Sequence, residues 1–271
     1  MKISHSILQI TKKDQVRVSE ELIESSRLTG GFYLMLILSS MMVTLGLLLN
    51  NPAVIIGGML ITPLLTPLLT FALGIVICDI QLLWRSTKIF LRSIGIVFGV
   101  AVLLSFFFPL TEFNAEITSR LDSNIAYLIV AFVAGLAATF AWTNKNLSAM
   151  LPGVAIAVSL LPPLAVVGIG LAHMNIGIIR GSLLTFALNF FGIILGSVII
   201  FSLLNFYRTK KETTKAVKEE IKEEEIKKEI KNGQKKIEVA EIKQEVKRAV
   251  KEEIKKEIEK EAEEEEEEKK E

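Results

Sequence analysis

The stretch PAVIIGGMLITPLLTPLL, residues 52–69, reads as a membrane-spanning helix with a break in it. It carries no charge, and about 20 mostly apolar residues suffice to cross a bilayer core. Asn51 and Pro52 make a good helix start: the asparagine can cap free amides, and proline lacks an N–H that would be orphaned there anyway. Pro63 and Pro67 are interior prolines. Neither can donate to the carbonyl four residues back, so the Met59 and Pro63 carbonyls are expected to lose their helical partners. A rise of 1.5 Å per residue puts Pro63 roughly 16 Å from Pro52, near the middle of a ~30 Å core. Thr62, Thr66 and Thr70 recur every four residues and lay a polar stripe beside the break. A second stretch, PGVAIAVSLLPPLAVV at residues 152–167, repeats the pattern. There Pro162 and Pro163 free the carbonyls of Val158 and Ser159, with the Ser159 hydroxyl alongside.

Working outward, six apolar segments are long enough to span a membrane: 30–49, 52–78, 87–109, 124–142, 147–172 and 176–207. They are continuous rather than alternating. Only helices and closed barrels satisfy every backbone group in lipid, so these are helices. Lys12, Lys13, Arg17 and Arg27 precede the first span. Arg85 and Lys88 lie between the second and third, Lys145 between the fourth and fifth, and Arg208, Lys210 and Lys211 after the sixth. Six crossings put all of these on one side, and the bias of basic residues makes that side the cytosol, with both termini in it. The opposite side receives Asn50, Asn51, the loop with Glu112, Glu116, Arg120 and Asp122, and the turn 173–175. Arg180 sits just inside the last span on that side, where it either snorkels outward or lines a cavity. Residues 14–28 pattern as a short amphipathic helix, either lying on the inner surface or extending the first span.

Three regions follow: a short segment 1–28, an all-α membrane domain 29–207, and a Lys/Glu-rich cytosolic tail 208–271. From Arg208 onward 20 Lys and Arg face 22 Glu, while the rest of the chain has 11 basic against 8 acidic residues, so the net charge of +1 averages two unlike materials. The tail is built of strong helix formers with many Glu/Lys pairs four apart, interrupted at Asn232-Gly233. Beyond it Val239, Ile242, Val246, Val250, Ile254 and Ile258 form a drifting stripe, suited to a solvated single helix or a loose coiled coil.

The two halves of the membrane domain echo each other. A shift of 97 superposes Gly95 and Gly99 on Gly192 and Gly196, and Ser105 on Ser202. A shift of 100 superposes Pro52 and Pro63 on Pro152 and Pro163. Two related three-helix units are expected, and an odd number of helices per unit turns the second upside down. Inverted repeats with discontinuous helices are frequent among secondary transporters, which bind solute at the midplane near the breaks.

The stretches NPAVIIGGMLITPLLTPLL and LPGVAIAVSLLPPLAVVGIGLA resemble the hydrophobic membrane protein family catalogued as domain of unknown function 389. The resemblance covers about residues 30–206, and the two proline segments are its most specific part. It implies a multi-helix membrane protein of a kind found in bacteria and archaea, with no settled activity and no substrate. Many members carry a sizeable soluble domain before the helices, where this chain has about 28 residues.

Catalytic and metal chemistry find little support. His5 and His173 are isolated, Cys78 is the single cysteine, and no P-loop, dinucleotide fingerprint, HExxH or GxSxG occurs. No acidic residue lies in the middle of a span, which disfavours carboxylate-coupled ion transport. Arg92 lies one turn beyond Lys88 in the third span and matches Asn189 at a shift of 97; each either touches a solute or bonds between helices. The glycine pairs allow close helix approach within a chain or in a homo-oligomer. The sequence therefore predicts a transporter or channel-like protein for a small solute or ion, with no cofactor, metal or nucleic acid. Its candidate site comprises Asn51, Thr62, Pro63, Thr66, Pro67, Arg92, Ser159, Pro162, Pro163 and Asn189. The competing expectation is a membrane scaffold or sensor whose tail recruits a cytosolic partner.

Overall fold

The computed structural model describes residues 10–108, 112–144, 147 and 160–231. Among these residues every regular element is helical. The chain divides into two compact units, Met1–Val217 and Lys218–Glu271. In the second unit the described residues continue a helix that ends at Lys231.

The first unit begins with α1 (Lys12–Ser25) and α2 (Gly30–Leu48). The amphipathic segment is thus a helix of its own and does not extend the first span. Thr11 caps it, and its Val18, Leu22 and Ile23 are buried. The second span is split into α3 (Pro52–Leu60) and α4 (Leu65–Ile77), bent by 54° across the four residues between them. Next come α5 (Ile80–Phe107), the one-turn α6 (Ala115–Thr118), α7 (Ile125–Thr143), α8 (Leu161–Ala172) and α9 (Ile176–Leu203). A 3-10 turn (Phe206–Thr209) leads into α10 (Lys210–Lys231).

Among the described residues four helices, α2, α5, α7 and α9, are long and apolar enough to cross a membrane, and the bent pair α3/α4 makes a fifth if it is one span. Of the fifth segment expected from sequence, 147–172, the structure describes Leu147 and the 12 apolar residues of α8; Pro152 and Ser159 lie outside the described residues. The third span starts earlier than its hydropathy suggested. Asp79 caps α5 by accepting from the Leu82 amide at 3.0 Å, and two further turns precede Lys88.

Three tight hairpins share one construction. Asn50, Cys78 and Met174 each adopt left-handed backbone, with φ of 52°, 52° and 51°. The next residue (Asn51, Asp79 or Asn175) donates its amide to a glycine carbonyl five positions back, at Gly46, Gly74 and Gly170, over 2.8, 3.1 and 2.9 Å. Its own side chain then caps the following helix. This is the Schellman closure of one helix fused to the N-cap of the next. The glycines are needed for space. An added Cβ at Gly46 would sit 2.8 Å from the Ile55 amide nitrogen, and at Gly170 it would sit 3.2 Å from that of Ile179.

The halves correspond closely in their elements. α5 and α9 are each 28 residues long and lie 96 positions apart at both ends. α4 and α8 begin 96 apart, with LLTPLL at 64–69 against LLPPLA at 160–165. α2 and α7 have 19 residues each and lie 95 apart. At a shift of 96, buried residues fall on buried residues: Leu82 on Ile178, Ser86 on Ser182, Phe90 on Phe186, Ser93 on Asn189 and Val97 on Ile193. Packing follows the same correspondence, with α5 against α2, α4 and α8, and α9 against α7, α8 and α4. At this shift Pro67 falls on Pro163.

The glycine pairs matched at a shift of 97 have different surroundings. A Cβ on Gly95 or Gly99 meets nothing within 4 Å. One on Gly192 would lie 2.7 Å from the Ala131 Cβ, and one on Gly196 would run into the Phe132 carbonyl, so this pair seats α9 on α7.

The connections gather at two ends. At one end Gln15 donates to the Leu204 carbonyl at 2.7 Å, Lys12 pairs with Glu212 at 3.2 Å, and Thr214 donates to the Asp79 carboxylate at 2.5 Å. At the other, the Asn114 amide donates to the Leu47 carbonyl at 2.7 Å, Asn50 accepts from the Glu116 amide, and Phe113 meets His173 edge to face.

Candidate functional site

At the break between α3 and α4 the backbone groups that proline strands find partners inside the chain. The Met59 carbonyl accepts from the Ile61 and Thr62 amides. The Pro63 carbonyl lies 3.2 Å from the Thr66 hydroxyl, which takes the place of the amide that Pro67 lacks. Hydroxyls bonding their own helix are a common repair for proline in apolar surroundings. Thr70 donates within reach of the Thr66 carbonyl at 2.8 Å and the Leu22 carbonyl at 3.1 Å, and its oxygen lies 2.7 Å from the Ser26 hydroxyl. Thr66 also reaches the Ser25 carbonyl at 3.3 Å. Two of the three stripe threonines thus fasten the end of α1 to α4. Thr62 differs: its hydroxyl oxygen is buried with no hydrogen-bond partner among the described residues.

The remaining sequence candidates scatter. Asn51 is an N-cap, accepting from the Ala53 and Val54 amides at 3.1 and 3.3 Å. Pro162 and Pro163 are buried in the first turn of α8, where a missing N–H is tolerated. Ser159 lies outside the described residues. Asn189 is buried on α9, while Arg92 is exposed on the outer face of α5. The structure keeps Thr62, Pro63, Thr66 and Pro67 together at one break, places Asn189 inside the bundle, and sets Asn51 and Arg92 apart from both.

Apart from Asn189, sequence reasoning missed the polar interior of the long helices. Ser86 and Ser93 on α5, and Ser182, Thr185 and Asn189 on α9, are all buried. Ser86 and Ser93 donate to the carbonyls of Leu82 and Ile89, both at 2.9 Å, one turn back. Among the described residues the hydroxyls of Ser182 and Thr185 have no partner, and neither has that of Thr44 on α2. Their signal in the sequence was spacing, since Ser182, Thr185 and Asn189 fall three and four apart on one helical face.

A cavity of about 230 Å³ lies between α4, α5 and α9. Pro67, Phe71, Phe90, Phe186 and Phe190 wall it, and Leu91 stands at its outer edge. Phe90 and Phe186, the residues matched at a shift of 96, stack with centroids 6.2 Å apart and planes 17° from parallel. Phe190 closes on Phe90 at 5.1 Å. The two hydroxyl residues at its wall, Ser86 and Thr87, bond their own helix, so the cavity is chemically apolar. Among the described residues no cluster of His, Cys, Asp and Glu is arranged to hold a metal.

The chain is 32% identical over 169 residues to an uncharacterised protein of Methanocaldococcus jannaschii, an alignment covering 62% of this chain and 52% of that relative. The chain thus spans about half the length of the relative it matches. No solved structure matches it. A family model matches residues 59–195, from the end of α3 at the broken span through most of α9, so that both short helices after the prolines and all of α5 fall within it. On this match the chain belongs to the family described as domain of unknown function (DUF389).

Proposed function

We propose that the membrane domain is a transporter or channel-like protein built from two inverted three-helix repeats, one spanning α2 to α5 and the other α7 to α9. The observation that carries the proposal is the 96-residue correspondence of the two long helices and the two short ones, across which Phe90 stacks on its own counterpart Phe186. Residues related by a two-fold axis meet their equivalents only near that axis. In transporters built this way the solute site lies at the repeat interface. Among the described residues that region carries unpartnered hydroxyls on Ser182 and Thr185 beside Asn189, and no full charge among its buried side chains. This favours a small uncharged polar solute over a bare ion. The first break contributes the Thr62 hydroxyl. The proposal is of a carrier without catalytic chemistry, set in the cell membrane with both termini cytosolic.

One observation favours the second reading, a scaffold or sensor. The carbonyls freed by Pro63 and Pro67 are satisfied within the chain, as a static packing role for the break would have it. Flux separates the two. Purified protein in liposomes, screened over small polar solutes and ions, is expected to pass at least one faster than protein-free liposomes. Thr185→Val, which keeps shape and removes a buried hydroxyl, is expected to slow that flux without unfolding the bundle. Flux equal to empty liposomes across the panel would sink the carrier and leave the scaffold.

A further inference from the structure

The apolar cavity and the cations beside it suggest a second ligand, a lipid entering from the outer side of α5. We propose that the cavity between α4, α5 and α9 takes up an acyl chain of an anionic bilayer phospholipid whose phosphate sits on Lys88 and Arg92.

The cavity supplies the tail site. Apolar cavities of ~150 Å³ stay dry and accept benzene or xenon, so one of about 230 Å³ walled by Phe71, Phe90 and Phe190 suits hydrocarbon. It reaches the outer surface of the bundle at Leu91, which is 61% exposed, so a chain can enter from the surrounding lipid. The head site lies on the same helix. Lys88 is one turn before Leu91 and Arg92 is the next residue after it. The Lys88 ammonium lies over the Trp84 ring, 5.1 Å from its centroid, and Trp84 is 62% exposed. Exposed tryptophan marks the headgroup level. A helical rise of 1.5 Å per residue then sets Leu91 roughly 10 Å deeper, at acyl depth, with both cations able to reach up along their stems.

Charge selects the lipid. Among the described residues neither Lys88 nor Arg92 makes an ion pair or hydrogen bond. The nearest acid in sequence, Asp79, is occupied by the Leu82 amide and the Thr214 hydroxyl. Among the described residues these two cations at the membrane edge have no protein counter-ion, which calls for an anionic headgroup, since basic residues close to the membrane surface attract anionic lipids.

The test uses the full chain with Trp142→Phe, which leaves Trp84 as the single tryptophan. Reconstituted in phosphatidylcholine vesicles, its fluorescence is titrated with chain-brominated phosphatidylglycerol or chain-brominated phosphatidylcholine at equal mole fraction. The anionic lipid is expected to bind at least roughly fivefold more tightly, the share of one basic residue near the surface. Lys88→Gln with Arg92→Gln is expected to erase the preference, Arg92→Lys to keep it, and Ile94→Phe, which fills the cavity and leaves both cations, to lower it. Equal quenching by the two lipids overturns the proposal. So does an unchanged preference in Ile94→Phe, which would remove the chain from the cavity. Stronger quenching by a free brominated fatty acid than by the phospholipid would replace the lipid with a soluble amphiphile. Protection of Trp84 from both lipids, together with cross-linked dimers, would mean that a second copy covers the face.

Discussion

At the scale of single residues, the turns carry the most specific chemistry. Asn50 and Asn205 hold left-handed backbone with a residue type that tolerates it, but Met174 does not, and its side chain is 89% exposed. The left-handed region costs an ordinary L-residue roughly 1–2 kcal/mol, a cost glycine avoids. Met174→Gly is therefore expected to stabilise the protein by about 1 kcal/mol, visible as a higher melting temperature in detergent. An unchanged or lower value would show that the exposed methionine contributes more than its backbone costs. Glycines with the same spacing divide by environment. Alanine at Gly95 or Gly99 meets open space and gains about 1 kcal/mol of helix propensity. Alanine at Gly192 or Gly196 collides with α7, so those substitutions are expected to lower the melting temperature while the first two raise it. Four equal shifts in one direction would refute the packing of α9 on α7. The small-xxx-small spacing was plain in the sequence; the face each pair presents was not, because that is set by neighbours 60 residues away.

At the scale of elements, α1 is held by the helix that follows the proline break. Thr70 is buried, and its hydroxyl bridges the Leu22 carbonyl and the Ser26 hydroxyl. Thr70→Val keeps the shape and strips buried polar groups of a partner, at a cost of about 1–3 kcal/mol. The expected signature is local: limited proteolysis should cut between α1 and α2 sooner than in the native protein, before the bundle itself opens. Equal cleavage rates would mean that the other contacts of α1, the burial of Val18 and Leu22 and the Gln15 bond to the Leu204 carbonyl among them, suffice to hold it. This is also where the sequence could be followed only part of the way. The prolines announced a break and Asn51 announced a helix start, because both act through local backbone chemistry. The direction of the threonine stripe depended on α1 folding back over α4, a tertiary event with no local signature. The two halves echo each other in the sequence, but isolated Gly and Pro matches gave shifts of 97 and 100. The shift of 96 emerges from LLTPLL against LLPPLA together with the capping pairs Asp79 and Asn175.

At the scale of the whole molecule, the two ends of the bundle sort the charges. Lys12 and Asp79 meet the start of α10 at one end, and the loop with Glu116 meets the Asn50 turn at the other. In the proposed topology, with both termini cytosolic, the first of these ends would face the cytosol. Cys78 is a native reporter, being the sole cysteine and exposed. On intact cells an impermeant thiol reagent is expected to miss Cys78 and to label Ser123→Cys in a Cys78→Ser background; the reverse pattern would invert the topology. The tail sets the last test. Composition places its start at Arg208, but the compact first unit closes at Val217. Between these points lie Thr214, 2.5 Å from the Asp79 carboxylate, Glu212, 3.2 Å from Lys12, and buried Thr213. A chain cut after Val217 retains all three contacts and is expected to melt where the full chain does. A chain cut after Lys211 loses them. The bond to a charged group contributes about 1.5–3 kcal/mol, the half-exposed ion pair at most about 1 kcal/mol, and Asp79 must still cap α5. A fall of several degrees is therefore expected for the shorter chain alone, at roughly 2–4 °C per kcal/mol for a unit of this size. If Asp79→Asn in the full chain lowers the melting temperature by a similar amount, the loss belongs to that bond. Equal melting of both truncations would place the boundary at Arg208 after all and reduce the Thr214 contact to ornament.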